Sequence, residues 1–350
     1  MTNINKTLLA EIKPHFGRYN CDFYEMEHFL NHRGSFLERQ AEAICIIEGI
    51  MTAHGKEKLI RHVSELARVE HGIHELEPWV RDHVVHALLS FILGIYINEK
   101  ILRPHHIPVD DFQWKLAGMF HDIGYPAEIA NGILKPFIEK INDIKRTLLG
   151  RFKRPDVRFK VIPVGLESLQ NNVNSFDLIQ NRLNEWDLKI DARREYDLIV
   201  ESGNVDHGII SSLAILYVID LMYQKHNPKR EYKDRFIPGT NISFNQKYFE
   251  EDVVSACTAI YIHNLPKRSF CNSKIDRIKA PVAFLLKLSD CLQEWERPSF
   301  TNKFGFPANK FDVNVSNKQL IFHADIPYEK KKKIRDDISS FLIAQDVQIC

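Results

Sequence analysis

Six side chains in this sequence are of the types that hold divalent cations, and each stands in an otherwise apolar stretch. They are His86, His121, Asp122, His207, His263 and Asp290, carried by RDHVVHALL, FHDIGYP, VDHGIISSLAIL, YIHN and LLKLSDCLQEWERP. Burying that many ionisable groups costs several kcal/mol apiece unless they are paired or bind a cation, and one shared site satisfies them together. Imidazole nitrogens and carboxylate oxygens suit iron, manganese, zinc, nickel or cobalt, with magnesium as the harder alternative. Six donors, one of them a carboxylate able to bridge, exceed what a single catalytic ion with open positions requires, so two ions fit the set. With 16 histidines in the chain, an HD dipeptide is expected by chance roughly once. The signal lies in the order of the five segments.

Neighbouring residues extend the set. His83 lies one helical turn before His86 on the same face, so either could be the first ligand. Gly94, eight residues beyond His86, suits close helix packing near the site and favours His86. His83 is then left to touch substrate or a carboxylate behind the ligands. Asp206 either joins the ligands or caps the helix that follows it, and capping is the reading taken. Arg151, Lys153, Arg154 and Arg158 form the centre of a basic run around Pro155, which either receives substrate phosphates or solvates the surface. Lys330 to Lys333 read as the solvated start of a terminal helix, and Trp295 with FTNKFGFP as core and turn packing. The six cysteines contain no CxxC pair, which argues against a disulfide framework and a structural zinc knuckle.

Helices must position these groups. Apolar residues recur every three or four positions through 22–70, a helical lead-in. WVRDHVVHALLSFILGIYINEKIL is long, apolar and free of proline until Pro104 and Pro108, and predicts a buried helix carrying His83 and His86. DFQWKLAGMFHDIGYP predicts a second, closed by Gly124 and Pro126 just after His121 and Asp122. From about 135 to 200 the pattern turns charged and irregular, an insertion with some helix. VDHGIISSLAILYVIDLMYQK, EDVVSACTAIYIHN and PVAFLLKLSDCLQEWE restore buried helices, with a polar loop at 225–247. Beyond Pro298, KFDVNV and KQLIFHADI around SN predict a β-hairpin, followed by an amphipathic helix through KKIRDDISSFLIA. No internal repeat or extended low-complexity tract interrupts the chain.

Lys+Arg (47) and Asp+Glu (46) nearly cancel over 350 residues, so no bulk field draws the molecule to nucleic acid or lipid, and any anion binding must be local. The N-terminal stretch lacks a signal-peptide core, and no segment reads as about 20 uncharged apolar residues. A cytoplasmic protein without a membrane partner is expected, and oligomeric state is not legible.

The order H…HD…H…H…D resembles the metal-dependent phosphohydrolases of the HD superfamily, and the resemblance runs from His86 to Asp290. It is similar to the cyclic-dinucleotide phosphodiesterases called HD-GYP, whose late D is followed by Arg-Pro, as Asp290 is by Arg297–Pro298. It departs from them in three places. The family's GYP lies downstream, where this chain has HNLPKRSF around His263; Tyr125 stands where a lysine is frequent; and the step from Asp122 to His207 is longer. Cyclic-dinucleotide specificity is therefore not carried over, and the RDHxxH…LG spacing with the late hairpin is more similar to a branch of HD proteins found fused to other modules.

The resemblance implies an all-α fold: an HD-domain helical core at 77–298 with the insertion at 135–200, a helical lead-in at 1–76, and a small C-terminal α+β extension, hairpin plus helix, at 299–350. One ion would be held by His86, His121, Asp122 and Asp290, and a second by His207 and His263 with Asp122 bridging. Asp122 and His83 are the candidate catalytic residues. The implied activity is attack of a metal-activated hydroxide on a phosphoester of a nucleotide or a related phosphorylated small molecule; nucleic acid stays open as a partner without being indicated. The same fold also houses di-iron oxygenases, a second class. A non-catalytic nucleotide-sensing module is a third, against which every ligand position in the pattern is filled.

Overall fold

In the computed structural model, residues 3–16, 23–31, 34–74, 82–149, 165–295, 311–316 and 319–350 are described. The chain is mostly helical, with one small sheet near its C-terminus. Helices α1 (Asn3–Phe16), α2 (Phe23–Asn31), α3 (Phe36–Thr52) and α4 (Ile60–His74) come first. Ser35 and Glu38 start α3 as a reciprocal capping box, satisfying donors that the first turn leaves open.

The next elements carry the chemistry. They are α5 (His83–Ile97), α6 (Asp111–Phe120), α7 (Tyr125–Leu149), α8 (Ser175–Glu185), α9 (Ala192–Glu201), α10 (His207–His226), the single turn α11 (Gln246–Tyr248), α12 (Val254–His263) and α13 (Pro281–Leu292). Aspartates start four of them: the side chains of Asp82, Asp110, Asp191 and Asp206 accept from Val85, Phe112, Arg194 and Ile209 N–H. Asp206 is thus the cap of α10. Pro281 opens α13, where a missing N–H costs nothing. Pro126 does not close α6 as expected; it lies in the first turn of α7, for the same reason. The charged stretch after 135 continues α7 as one helix to Leu149, with Pro136 inside it.

α10 packs on α12, α12 on α13, α13 on α5, and α5 on α6, which returns to α12. Close approach of α5 and α6 is set by Gly94: a Cβ there would lie 1.9 Å from Trp114 Cζ2. The indole donates to Phe91 O at 3.0 Å. Two helical segments, His83–His105 and His207–His226, prove long and apolar enough to cross a membrane by length and composition, which corrects the sequence reading; 89% and 61% of their most apolar stretches are buried inside the fold, as core helices are.

At the C-terminus, β1 (Phe311–Ser316) and β2 (Gln319–Ala324) form the expected antiparallel pair, in register from Phe311↔Ala324 to Ser316↔Gln319. The expected helix follows as α14 (Tyr328–Phe341). A third strand, β3 (Val347–Ile349), was not expected; it pairs parallel to β2, giving the order β1-β2-β3. This extension is tied to the helices by Phe270 against Phe341, by Ile275 N–H donating to Phe341 O at 2.8 Å, and by α1 lying on β1. One contiguous apolar cluster runs from Ile4 through the central helices to Ile349.

Candidate metal centre

The starts of α5 and α10 and the ends of α6, α12 and α13 meet at one end of the helical core. They bring together all six candidate ligands. Asp122, in the turn after α6, sits in the middle. Its Oδ2 lies 3.7 Å from His86 Nε2 and 3.5 Å from His121 Nε2, and its Oδ1 lies 3.2 Å from His207 Nε2 and 3.6 Å from His263 Nε2. Asp290 Oδ1 is 3.1 Å from His86 Nε2. His86, His121, Asp122 form one group with ion-binding spacing, and Asp122, His207, His263 form another, sharing the carboxylate.

The outer nitrogens determine what the inner ones can do. His86 Nδ1 faces Gln293 Oε1, His121 Nδ1 faces Gly118 O at 3.1 Å, His207 Nδ1 faces Glu128 Oε2 at 2.6 Å, and His263 Nδ1 faces Ile260 O at 2.6 Å. All four partners are acceptors, so every Nδ1 carries its proton and donates it. The Gln293 amide is itself oriented, because its Nε2 donates to Trp295 O at 2.6 Å. With their Nδ1 atoms so engaged, the four rings turn Nε2 toward carboxylate oxygens, and His207 Nε2 toward His263 Nε2 at 3.2 Å; a cation there would meet four neutral imidazole lone pairs. Lone pairs that close together in a buried site require positive charge between them. This tautomer set, each outer N–H held by an oxygen, is the one metal-ligating histidines adopt. His121 Nε2 adds a direct test: it is buried and has no hydrogen-bond partner among the described residues, which a cation on that lone pair would supply. The residues present fit divalent ions.

Charge follows the same geometry. Burial opposes ionisation of Asp122, but the imidazoles of His121, His207 and His263 outweigh it and hold its carboxyl well below the usual range. Asp290 is held down likewise, against burial, by the His86 hydrogen bond and then by His86 and Lys287 as charges. Burial lowers His121 to about 3, keeping it neutral. Burial also works against protonation of His207, yet hydrogen bonds to Asp122 and Glu128 carry it well above 6.5; without a cation, a proton takes the place between His207 and Asp122. Lys287 is buried and donates to His263 O at 2.7 Å, anchoring the end of α12.

His83 is not among the grouped ligands. It stacks on Tyr125 with ring centroids 3.6 Å apart, 6.5 Å from the His86 ring, and Tyr125 in turn meets the His207 ring at 5.5 Å. His86, His121 and His263 are buried, whereas Asp290 is 23% and His207 12% exposed, so the centre opens on the side bordered by Asp290, His207, Tyr125 and His83. Arg151, Lys153, Arg154 and Arg158 lie outside the described residues. Sequence reasoning missed Glu128 and Gln293. Gln293 stands three residues after Asp290 on the same helical face, a spacing that could have pointed to it.

Set against protein-family models, curated proteins and solved structures, the chain matches none of them.

Proposed function

We propose that this chain is a metal-dependent phosphohydrolase acting on a phosphoester of a nucleotide or a related phosphorylated small molecule, as its resemblance to the HD superfamily implies. The observation that carries the reading is the convergence of four histidine Nε2 atoms on the two oxygens of one buried carboxylate, Asp122. His86, His121, Asp122 and Asp290 would hold one cation, and His207 and His263 a second, with Asp122 shared. Such ions supply electrophilic activation of water and neutralise charge on phosphoryl oxygens.

The chain's own residues do the rest. Asp122 stays ionised amid its imidazoles and fixes the spacing of the two ligand groups. Glu128, Gln293 and the Gly118 and Ile260 carbonyls hold the rings so that no reorientation is needed during reaction. His83, stacked on Tyr125 at the open side, meets the substrate rather than a cation.

The test is a turnover panel on manganese- or iron-loaded protein: bis(p-nitrophenyl) phosphate, dNTPs and cyclic dinucleotides, with oxygen uptake recorded in parallel. The expected result is phosphate-ester cleavage that falls at least about a hundredfold in Asp122→Ala, while His83→Ala keeps its metal and loses kcat/KM. Oxygen consumption without ester cleavage by the loaded protein would assign the centre to the oxygenase class instead.

A further inference from the structure

A second site lies at the other end of the same helices. A cavity of about 560 Å³ opens between the end of α3, the start of α6, the end of α10 and the segment around α11. Phe112, in its wall, and His121 mark the two ends of α6, about 14 Å apart along the axis. Tyr223, also in its wall, is about 24 Å along α10 from His207. Neither this cavity nor its residues belong to the metal centre.

Lys56 is its distinguishing feature. α3 ends in a Schellman turn: Gly55 takes φ +62°, Lys56 N–H donates to Met51 O at 3.1 Å, and Gly55 N–H donates to Thr52 O at 3.0 Å. This turn, for which glycine is suited, drops Lys56 inward until it is 3% exposed while still lining the cavity. Its ammonium rests 4.1 Å from the Phe244 ring and 5.7 Å from Phe112, and donates to His54 O at 3.2 Å. Among the described residues no carboxylate pairs with it. Burial, opposed by neighbouring Glu57, brings it down to about 8. Lys115, equally buried, shows the contrast, being paired with Asp111 Oδ2 at 2.6 Å and His54 Nε2 at 2.8 Å. An ammonium with three donors and one oxygen partner, resting on aromatic rings, is costly as structure and suited to receive an anion.

The remaining wall narrows the class. Phe236 and Tyr248 stand at the mouth, 55% and 46% exposed. Asp234 Oδ1 accepts from Ser243 Oγ at 3.0 Å and from Asn245 Nδ2 at 3.1 Å, and Asp252 Oδ1 accepts from Gln113 Nε2 at 3.1 Å. Each carboxylate has four lone-pair positions, so acceptor capacity remains. One buried cation beside two carboxylates disfavours a polyphosphate.

We propose that this cavity is a second ligand site, taking a small molecule with one anionic group on Lys56, a planar ring against Phe236 and Tyr248, and N–H or O–H donors toward Asp234 and Asp252. A nucleoside monophosphate and an aromatic amino acid both carry this chemistry, and the cavity is of a size typical for such ligands.

Calorimetric titration of the full chain with AMP and GMP in one arm, and L-tryptophan and L-tyrosine in the other, tests it and separates the two sources. Expected is binding in one arm, equal in wild type and Asp122→Ala, weakened at least about tenfold in Lys56→Met and several-fold in Phe236→Ala. Phe236→Ala removes an exposed ring and leaves folding intact, so it carries the test if Lys56→Met does not fold. No binding in either arm overturns the proposal, as does binding unchanged in the folded variants. Binding lost in Asp122→Ala but kept in Lys56→Met also overturns it, because the ligand would then sit at the metal centre.

Discussion

Glu128 shows how much of the metal centre is decided by residues that touch no ion. Its Oε2 takes the His207 Nδ1 proton at 2.6 Å, and the same oxygen lies 3.3 Å from the His207 backbone N–H. Removing it frees the ring to rotate and lowers its basicity. Glu128→Ala is therefore expected to weaken divalent-ion affinity about 10–100-fold, measured by competition with a chromophoric chelator, with unfolding little changed because the side chain is 38% exposed. An unchanged affinity would mean that His207 does not ligate. The six candidate ligands were legible in the sequence because His and Asp in apolar helical surroundings are anomalous. Glu128 was not, since an acidic residue in the first turn of a helix is ordinary pairing with the helix dipole. The His83 or His86 question was a matter of one turn of register, on which only the facing element bears: Asp290 of α13 and Gln293 just after it meet His86.

At the scale of elements, two glycines, Gly94 and Gly208, separate stability from site assembly. Gly94 brings α5 onto Trp114, where a Cβ would lie 1.9 Å from the indole. Gly208 lets α10 approach α12, where a Cβ would lie 2.8 Å from His263 Nδ1 and 2.9 Å from Ile260 O, the pair that fixes the ring. Gly94→Ala is expected to lower stability by about 1–3 kcal/mol with metal per folded molecule unchanged. Gly208→Ala is expected to lose ion affinity more than stability. Thermal melts beside metal titrations distinguish the two, and equal metal loss in both would contradict the division. The long buried helices were readable from their length, apolar character and lack of internal proline, and the hairpin from two short strand-like runs around SN. Pro126 was misread because proline is compatible with both a helix stop and a helix start, and only the continuation of α7 separates them. β3 has just three residues, too few to alternate; its pairing to β2 comes from tertiary contact, beyond the reach of a local pattern.

For the whole molecule, near-balanced charge and one continuous apolar cluster leave ion binding as the feature that composition does not explain. The helices gather their polar ends at two places, Asp122 with its imidazoles and the cavity beside Lys56. The first was legible in the sequence, since its members recur as motifs. The second was not, because Lys56, Phe236 and Asp252 come from distant segments that share no pattern. The central claim is that the Asp122 cluster holds cations, and anomalous diffraction at the zinc edge from zinc-loaded crystals tests it most directly. Anomalous peaks are expected on either side of the Asp122 carboxylate, at about 2.0–2.2 Å from their nitrogen and oxygen ligands: one with His86, His121 and Asp290, the other with His207 and His263. A zinc-loaded crystal with no anomalous density within reach of Asp122 would contradict it.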